Sequence, residues 1–443
     1  MRPLPLMAAG LLAATLLASP SAYAAGETCQ GRPATIVGTP GMAALTGTEG
    51  ADVIVTNGAV TVSALGGDDL VCITGGREYR EVSLDAGPGA DAVDASVAGG
   101  PVDVRLGAGS DSYVGSPSDE RVLGGTQYAA TAGTLDTERD VITTGAGGDD
   151  RVVSGSERTV INTDAVLLTG GGTLTWSGPL GAGGLLDGGA AGGSTLAFET
   201  GTGDVLVHAR TGTASQGAVY LEWTGFDRFL VGGPHARAPK SFTFVGTERD
   251  EALEVRFPRA QTVRQRIAMS GGDDVLRIGF DDKVASAGST YAGGAGRDHV
   301  ATWAGKSLEV DLASGRMVTR HSGRTLRAGL RGFETSYLVA RDLVVRGTGR
   351  ADDLRFQACT ATVRGRGGAD AITQSIYGIP SADRLRCQRR AFHLLGNGGD
   401  DFLGGSTGRD LLVGGPGRDV ISGNAGRDTC SGEKLKSCEV KRR

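Results

Sequence analysis

The sequence predicts an all-β protein built as a parallel β-solenoid of the β-helix or β-roll type. Glycine provides 75 of the 443 residues, more than twice the usual share of about 7%. Glycine or a β-branched residue interrupts almost every stretch of helical length, which disfavours long helices. Valine and leucine recur regularly, which is not expected of a disordered chain. Glycine does not recur at every third position, so the chain is not collagen-like. What remains is a β-rich chain with many turns.

The N-terminal segment 1–24 has the pattern of a secretory signal peptide. Arg2 precedes an apolar stretch from Leu4 to Ala18, and Ala22-Tyr23-Ala24 has the form of a cleavage site. We therefore expect cleavage after Ala24 and a secreted, extracellular protein. An uncleaved anchor is the alternative, which the short apolar stretch disfavours. Beyond it the sequence predicts no transmembrane segment, and no basic stripe indicates nucleic-acid binding.

All six cysteines lie beyond this segment, and an even number in an exported protein favours disulfides. Six cysteines allow fifteen connectivities, so the sequence leaves the choice open. Nearest-neighbour pairing would join Cys29 to Cys72, Cys359 to Cys387 and Cys430 to Cys438. The last pair closes a short terminal loop and is the most favoured.

A nonapeptide repeat occupies residues 396–431 in four consecutive blocks. Each block has Gly at its first and fourth positions and Asp at its sixth. The fourth-position glycines are Gly399, Gly408, Gly417 and Gly426. The sixth-position aspartates are Asp401, Asp410, Asp419 and Asp428. The eighth positions carry Leu403, Leu412, Ile421 and Cys430.

Each block has the composition of one turn followed by one short strand. The glycine-rich part of the block forms a turn because glycine reaches positive φ without penalty, and the middle residue of the strand then points inward. Two blocks make one coil, which stacks Asp401 over Asp419 on one edge and Asp410 over Asp428 on the other. Stacked carboxylates repel unless a cation lies between them. Calcium suits such a site because it binds carboxylate and carbonyl oxygens together.

The blocks match the pattern G-G-x-G-x-D-x-U-x, in which U is aliphatic. The chain therefore resembles the RTX or haemolysin-type calcium-binding repeat proteins that bacteria export. The resemblance implies a C-terminal calcium-binding β-roll, with Ca²⁺ held between stacked turns by the sixth-position aspartates and nearby carbonyls. The alternative is that Asp and Gly form metal-free turns, with Arg409, Arg418 and Arg427 partly neutralising the acidic column.

Degenerate copies of the turn extend through the chain. Gly47 to Asp52 keeps the pattern, and further copies centre on Asp69, Asp91, Asp111, Asp150, Asp274, Asp298 and Asp370. Their wider spacing predicts coils with longer strands. We interpret most of these aspartates as turn formers and expect a minority to bind an ion. Asp52 and Asp69, whose separation is close to that of two nonapeptides, are the best secondary candidates for metal ligands.

A longer segment is also duplicated, at two places in the second half of the chain. In the first copy Gly225-Phe226-Asp227 leads to Gly246-Thr247 and Asp250. In the second copy Gly332-Phe333-Glu334 leads to Gly347-Thr348 and Asp352.

Taken together, the patterns predict four segments, which are a signal peptide at 1–24, a degenerate β-solenoid at 25–395, the nonapeptide roll at 396–431 and a C-terminal cap or tail at 432–443.

The sequence contains no recognisable catalytic constellation. Gly404 to Gly408 matches G-x-S-x-G but lies inside the nonapeptides rather than in a strand–turn–helix setting. We therefore predict a non-enzymatic calcium-binding protein that folds outside the cell, where calcium drives its folding. We expect it to have a structural or interaction role, with a cell-wall or extracellular glycan as candidate partner. The alternative is a polysaccharide-active β-helix enzyme of the lyase or epimerase type with a calcium-roll tail, using groups such as Asp227 with Arg228 or Asp281 with Asp282.

Overall fold

The computed structural model describes residues 26–76, 80–126, 135–156, 160–181, 184–233, 236–258, 262–279, 288–321, 323–375 and 385–441. The predicted signal peptide, its cleavage site and the pair Asp281 and Asp282 lie outside these residues. Strands provide nearly all of the regular secondary structure in these residues, as predicted, and a short 3-10 helix spans Ala209–Thr211. No helix in these ranges is long and apolar enough to cross a membrane.

The strands are short and follow one another closely. The first eighteen are β1 (Thr28–Cys29), β2 (Arg32–Pro33), β3 (Ile36–Val37), β4 (Ala44–Thr48), β5 (Val53–Val55), β6 (Thr61–Leu65), β7 (Leu70–Cys72), β8 (Val82–Pro88), β9 (Ala92–Asp94), β10 (Val102–Ala108), β11 (Ser112–Val114), β12 (Glu120–Leu123), β13 (Val141–Thr143), β14 (Asp150–Ser154), β15 (Ala165–Leu167), β16 (Gly172–Trp176), β17 (Leu185–Asp187) and β18 (Thr195–Phe198).

The next thirteen strands cover the middle of the chain and include the two longest. They are β19 (Asp204–His208), β20 (Thr213–Gln216), β21 (Val219–Thr224), β22 (Arg228–Gly232), β23 (Ser241–Val245), β24 (Ala252–Arg256), β25 (Arg264–Gly271), β26 (Val275–Ile278), β27 (Thr290–Ala295), β28 (His299–Asp311), β29 (Arg316–His321), β30 (Arg324–Arg331) and β31 (Thr335–Arg346). The remaining strands are β32 (Asp353–Gln357), β33 (Thr360–Gly367), β34 (Ala371–Gln374), β35 (Ala391–Gly398), β36 (Phe402–Gly404), β37 (Leu411–Val413), β38 (Val420–Ser422), β39 (Thr429–Ser431), β40 (Lys434–Lys436) and β41 (Val440–Lys441).

The chain alternates between two faces, and each strand pairs in parallel with the strand one coil later. Face 1 begins with β3, β5 and β7, and face 2 begins with β4, β6 and β8. In the nonapeptides Leu403 pairs with Ile421 and Leu412 with Cys430, which confirms that two blocks make one coil. Elsewhere the coils vary, since Val53 pairs with Leu70 but Arg121 pairs with Arg151. The predicted parallel β-solenoid is therefore confirmed.

Two antiparallel excursions interrupt this winding on face 1. Strands β19, β20 and β21 form one meander, and the second half of β28 forms another with β29 and β30. Each meander ends directly before a Gly-Phe pair, in which Phe226 and Phe333 are buried. The duplicated segment therefore corresponds to the same detour, after which the chain returns to face 2.

The core is the strip of side chains enclosed between the two faces. The eighth-position residues Leu403, Leu412, Ile421 and Cys430 are each 0% exposed, as the block pattern predicts. In the wider middle coils, aromatic rings fill the same strip, and Phe229 packs edge-on to Phe244 at 5.6 Å between ring centres. Alternating inward positions therefore supply one continuous core.

All six cysteines pair with their nearest neighbours, in the disulfides Cys29–Cys72, Cys359–Cys387 and Cys430–Cys438. The first ties the β1–β2 hairpin to β7, where the hairpin covers the outward side chains Val53, Val55 and Leu70. The last joins the fourth nonapeptide to the final coil. There β40 and β41 extend both faces beyond residue 431.

Candidate metal centre

The sixth-position aspartates stand at the entry to their strands, where hydrogen bonds join successive coils. The backbone N–H of Asp401 donates to Oδ1 of Asp419 at 3.0 Å, and that of Asp410 donates to Oδ1 of Asp428 at 2.9 Å. All four side chains are buried. The structure therefore brings together both predicted pairs, one on each edge. We call such a series of stacked carboxylates a ladder.

The face 2 ladder begins before the repeats. The N–H of Asp352 donates to Oδ1 of Asp370 at 2.9 Å, and the N–H of Asp370 donates to Oδ1 of Asp401 at 2.8 Å. The degenerate turns are thus continuous with the regular ones.

Two glutamates end the ladders at the C-terminus. The N–H of Asp419 donates to Oε2 of Glu433 at 2.8 Å, and that of Asp428 donates to Oε2 of Glu439 at 2.7 Å. Sequence reasoning missed these residues because they lie only 14 and 11 residues further on, outside the nine-residue phase. The longer side chain reaches the N–H from a shorter final coil.

Three nonapeptide turns share a conformation that we call the open turn. Its second and fourth residues both have positive φ, and Oδ2 of its sixth-position Asp is buried without a hydrogen-bond donor among the described residues. The open turns lead to Asp401 (Asn397 φ +78°, Gly399 φ +125°), Asp419 (Gly415 φ +120°, Gly417 φ +150°) and Asp428 (Asn424 φ +67°, Gly426 φ +134°). Asparagine replaces the second glycine twice because it tolerates the left-handed region better than other side chains do.

The remaining nonapeptide turn, which leads to Asp410, is closed by a hydroxyl. Ser406 donates its backbone N–H to Oδ2 of Asp410 at 2.5 Å and its hydroxyl to Oδ1 at 3.1 Å. Neither Ser406 nor Gly408 has positive φ. Both oxygens of Asp410 are therefore satisfied by hydrogen bonds within the protein, and we call this arrangement the closed turn.

The open turn has the features of a cation site. A Cβ on the first-position Gly396 would lie 2.1 Å from Oδ2 of Asp401, and one on Gly414 would lie 2.0 Å from Oδ2 of Asp419. These glycines therefore leave the space that the carboxylate oxygen occupies. A buried oxygen without a donor is costly unless a proton or a cation neutralises it, and carboxylates with turn carbonyls are the ligands that calcium prefers.

Burial sets the electrostatics of these carboxylates. Burial raises the pKa of Asp401, and the neighbouring carboxylates of Asp419 and Asp400 raise it further. Burial raises the pKa of Asp370 to about 7, with added repulsion from Asp352 and Asp401. The charged forms are thus disfavoured in the protein alone, and a bound cation would stabilise them.

Across the described ranges, no group of three or more His, Cys, Asp or Glu side chains is placed to hold a metal ion. The carboxylates are spread along the coils instead of converging. Any ion bound at these turns must therefore take much of its coordination from backbone oxygens, which calcium accepts readily.

The secondary candidates Asp52 and Asp69 are also adjacent in a ladder, on face 1. The N–H of Asp52 donates to Oδ1 of Asp69 at 2.8 Å. Asp52 lies in a closed turn, since Thr48 donates its N–H and its hydroxyl to Oδ2 at 2.8 and 2.9 Å. Asp69 lies in an open turn, with Leu65 at φ +77° and Gly67 at φ +110°, and its Oδ2 has no donor among the described residues.

The duplicated segment needs a correction of one residue. Glu251, not Asp250, is the counterpart of Asp352, because each accepts the N–H and the hydroxyl of the threonine four residues earlier. Glu251 is buried, and Asp250 is exposed. Both copies are closed turns, so the glutamate takes the position that the sequence pattern had assigned to an aspartate.

Comparison with known proteins identifies the C-terminal turns. Residues 395–430 match the sequence model of the RTX calcium-binding nonapeptide repeat, in four copies. No curated protein matches the chain. The chain therefore carries RTX calcium-binding repeats at the place where the regular coils lie, and calcium is the cation that these repeats bind.

Proposed function

We propose that this protein is an exported calcium-binding protein whose C-terminal coils are completed by calcium outside the cell. The observation that carries the proposal is the set of buried Oδ2 atoms of Asp401, Asp419 and Asp428, which have no donor among the described residues. These atoms lie within the stretch that matches the calcium-binding repeat. Calcium would supply the positive charge that neutralises these buried oxygens.

We assign the ligand role to the three open turns and not to Asp410. Oδ2 of Asp401, Asp419 and Asp428 would bind the ion together with backbone carbonyls of the same turns. The other oxygen of each carboxylate keeps its place in the ladder, where it accepts an N–H from the preceding coil. Each of these side chains would therefore fix its coil to the previous one and hold the ion at the same time.

The low calcium of the cytosol supports a role in folding after export. Sites in extracellular modules often bind at ~10⁻⁴–10⁻³ M calcium, so such turns would stay empty before secretion. Without the ion, the buried carboxylates and the entropy cost of ordering so much glycine both oppose the coil. The three disulfides also suit an oxidising environment.

For the physiological role we propose a structural or interaction function without catalysis. The hydroxyl of Ser406, the serine of the G-x-S-x-G match, donates to Asp410. Oδ2 of Asp227 accepts the N–H of Gly193 at 2.8 Å, which gives that carboxylate a structural role. The glycan partner stays a prediction.

A calcium titration of the purified protein tests the proposal. We expect calorimetry to detect binding at millimolar calcium and circular dichroism to show a gain of β-signal that a chelator reverses. Asp401→Asn with Asp419→Asn should weaken binding, while the matched variant Asp410→Asn in the closed turn should bind as many ions as the wild type. Absence of binding at millimolar calcium would refute the proposal.

A further inference from the structure

A second series of open turns lies in the N-terminal half, far from the residues that match the calcium repeat. These turns precede β7, β9 and β11 on face 1 and lead to Asp69, Asp91 and Asp111. Each of the three side chains is 2% exposed. We call this series the N-terminal array.

The backbone of the N-terminal array has the conformation of the nonapeptide open turns. The second and fourth residues have positive φ at Leu65 (+77°) and Gly67 (+110°), at Gly87 (+100°) and Gly89 (+157°), and at Gly107 (+115°) and Gly109 (+135°). A leucine is strained in this region, because its Cβ crowds the following carbonyl oxygen. The turn therefore keeps its shape even where the residue at its second position opposes it.

The carboxylates of the N-terminal array also make the same hydrogen bonds as those of the nonapeptide open turns. The N–H of Asp69 donates to Oδ1 of Asp91, and the N–H of Asp91 donates to Oδ1 of Asp111, both at 2.8 Å. Oδ2 of all three residues is buried, with no donor among the described residues. Burial raises the pKa of Asp91 and of Asp111 to about 7, with smaller contributions from neighbouring carboxylates.

The closed turns show which hydrogen-bond donors are missing around the Oδ2 atoms of the N-terminal array. The closed turns of Asp52, Glu251, Asp352 and Asp410 each stand first in a ladder. There a Thr or Ser at the second position supplies donors to the carboxylate. The three turns of the N-terminal array have Leu65, Gly87 and Gly107 at that position, and none of these has a hydroxyl. A cation between successive coils would satisfy Oδ2 where no hydroxyl does.

We propose that the N-terminal array is a second set of calcium sites, one at each open turn, with Oδ2 of Asp69, Asp91 or Asp111 as the carboxylate ligand and backbone carbonyls of the turns completing the coordination. The inference rests on the proposed function, because it extends the same chemistry to turns that the repeat match does not cover. Its consequence is that calcium would hold both ends of the solenoid.

The test counts bound calcium per full chain by equilibrium dialysis and atomic emission at saturating calcium. One variant carries Asp69→Asn, Asp91→Asn and Asp111→Asn, and the second carries Asp401→Asn, Asp419→Asn and Asp428→Asn. Asparagine keeps an Oδ1 acceptor for the ladder and removes the charge. The matched control is Asp52→Asn, a buried residue of the same ladder in a closed turn. We expect the N-terminal triple variant to lose about three ions, one for each open turn, and the control to lose none.

The outcomes separate this inference from the proposed function. A wild-type count in the N-terminal triple variant overturns the inference and leaves the C-terminal sites standing. Loss in that variant while the C-terminal triple variant keeps the wild-type count supports the inference and refutes the C-terminal sites. A wild-type chain that binds no calcium refutes both.

A second measurement covers the case in which the N-terminal variant fails to fold. Amide hydrogen exchange is followed in the C-terminal triple variant with and without calcium, so that the array keeps its native residues. Calcium should slow exchange several-fold across residues 65–112, where the N–H groups of Asp69 and Asp91 lie. Unchanged exchange there overturns the inference.

Discussion

Ser406 donates both its backbone N–H and its hydroxyl to Asp410, at 2.5 and 3.1 Å, and this pair makes the second nonapeptide different from its neighbours. The blocks of Asp401, Asp419 and Asp428 have Asn or Gly at the position of Ser406, with positive φ. One side chain at the second position therefore distinguishes a turn that satisfies its own carboxylate from a turn that leaves an oxygen for a cation.

Replacing Ser406 with glycine should convert the closed turn into an open one. Ser406→Gly removes the hydroxyl and permits positive φ at this position. We expect one additional bound calcium ion per chain and a loss of about 1 kcal/mol in the unfolding free energy without calcium. Thr407→Gly is the matched control because Thr407 is exposed in the same turn and glycine there adds the same backbone entropy. An unchanged calcium count in Ser406→Gly would show that the hydroxyl does not exclude the ion.

Replacing Gly396 with alanine should damage the site of Asp401 without altering the carboxylate. The added Cβ would lie 2.1 Å from Oδ2 of Asp401, closer than van der Waals contact allows, so the side chain must move. We expect calcium affinity to fall about tenfold or more and the unfolding free energy to fall by about 1–3 kcal/mol.

Gly398→Ala provides the control for this change. A Cβ there would meet nothing closer than the carbonyl oxygen of Arg366 at 3.9 Å. The calcium affinities of the two variants, measured by calorimetric titration, should therefore differ clearly. Equal affinities would show that the position of Oδ2 does not matter for binding.

Much of the fold could be predicted because the C-terminal period is unbroken. The constant length of the blocks fixes the stacking of Asp401 over Asp419, and the inward positions follow from it. The ladder through Asp69 and Asp91 was harder to recognise, since its members lie 17, 22 and 20 residues apart and no constant period links them. Composition alone did not predict the open and closed turns, because the distinction lies in the backbone φ of the second residue. A Ser or Thr at that position would have been the signal.

Removing the carboxylate of Glu433 should loosen the end of the face 2 ladder. Its Oε2 accepts the N–H of Asp419, and no further coil follows on this face among the described residues. Glu433→Ala should destabilise the last coil by about 1 kcal/mol, seen as faster amide exchange at residues 419–422. Glu433→Gln retains an acceptor oxygen and should retain most of the protection. Equal exchange in all three proteins would contradict a capping role.

Asp140 should make the calcium-free protein less stable as pH rises. It is 0% exposed, its Oδ1 accepts the N–H of Asp111 at 2.9 Å, and its Oδ2 has no donor among the described residues. Burial, followed by repulsion from Asp164, Asp136 and Asp111, raises its pKa from 3.8 to about 9. The folded state therefore holds a proton that the unfolded chain releases above its ordinary pKa, so the contribution of Asp140 to stability is lost as pH rises from about 4 toward 9.

The uncharged variant Asp140→Asn should remove this loss. In the presence of a chelator, we expect the unfolding free energy of the variant to exceed that of the wild type by about 1–3 kcal/mol at pH 8, because only the unfolded wild-type chain gains free energy by releasing the Asp140 proton. At pH 4 the two proteins should have the same unfolding free energy. Thermal unfolding at the two pH values measures the difference. Asp149→Asn, at a side chain that is 72% exposed, should change stability little at either pH. If Asp140→Asn shifted the unfolding temperature equally at pH 4 and pH 8, the carboxyl of Asp140 would not titrate in this window, and its buried oxygen would need a different neutralising partner.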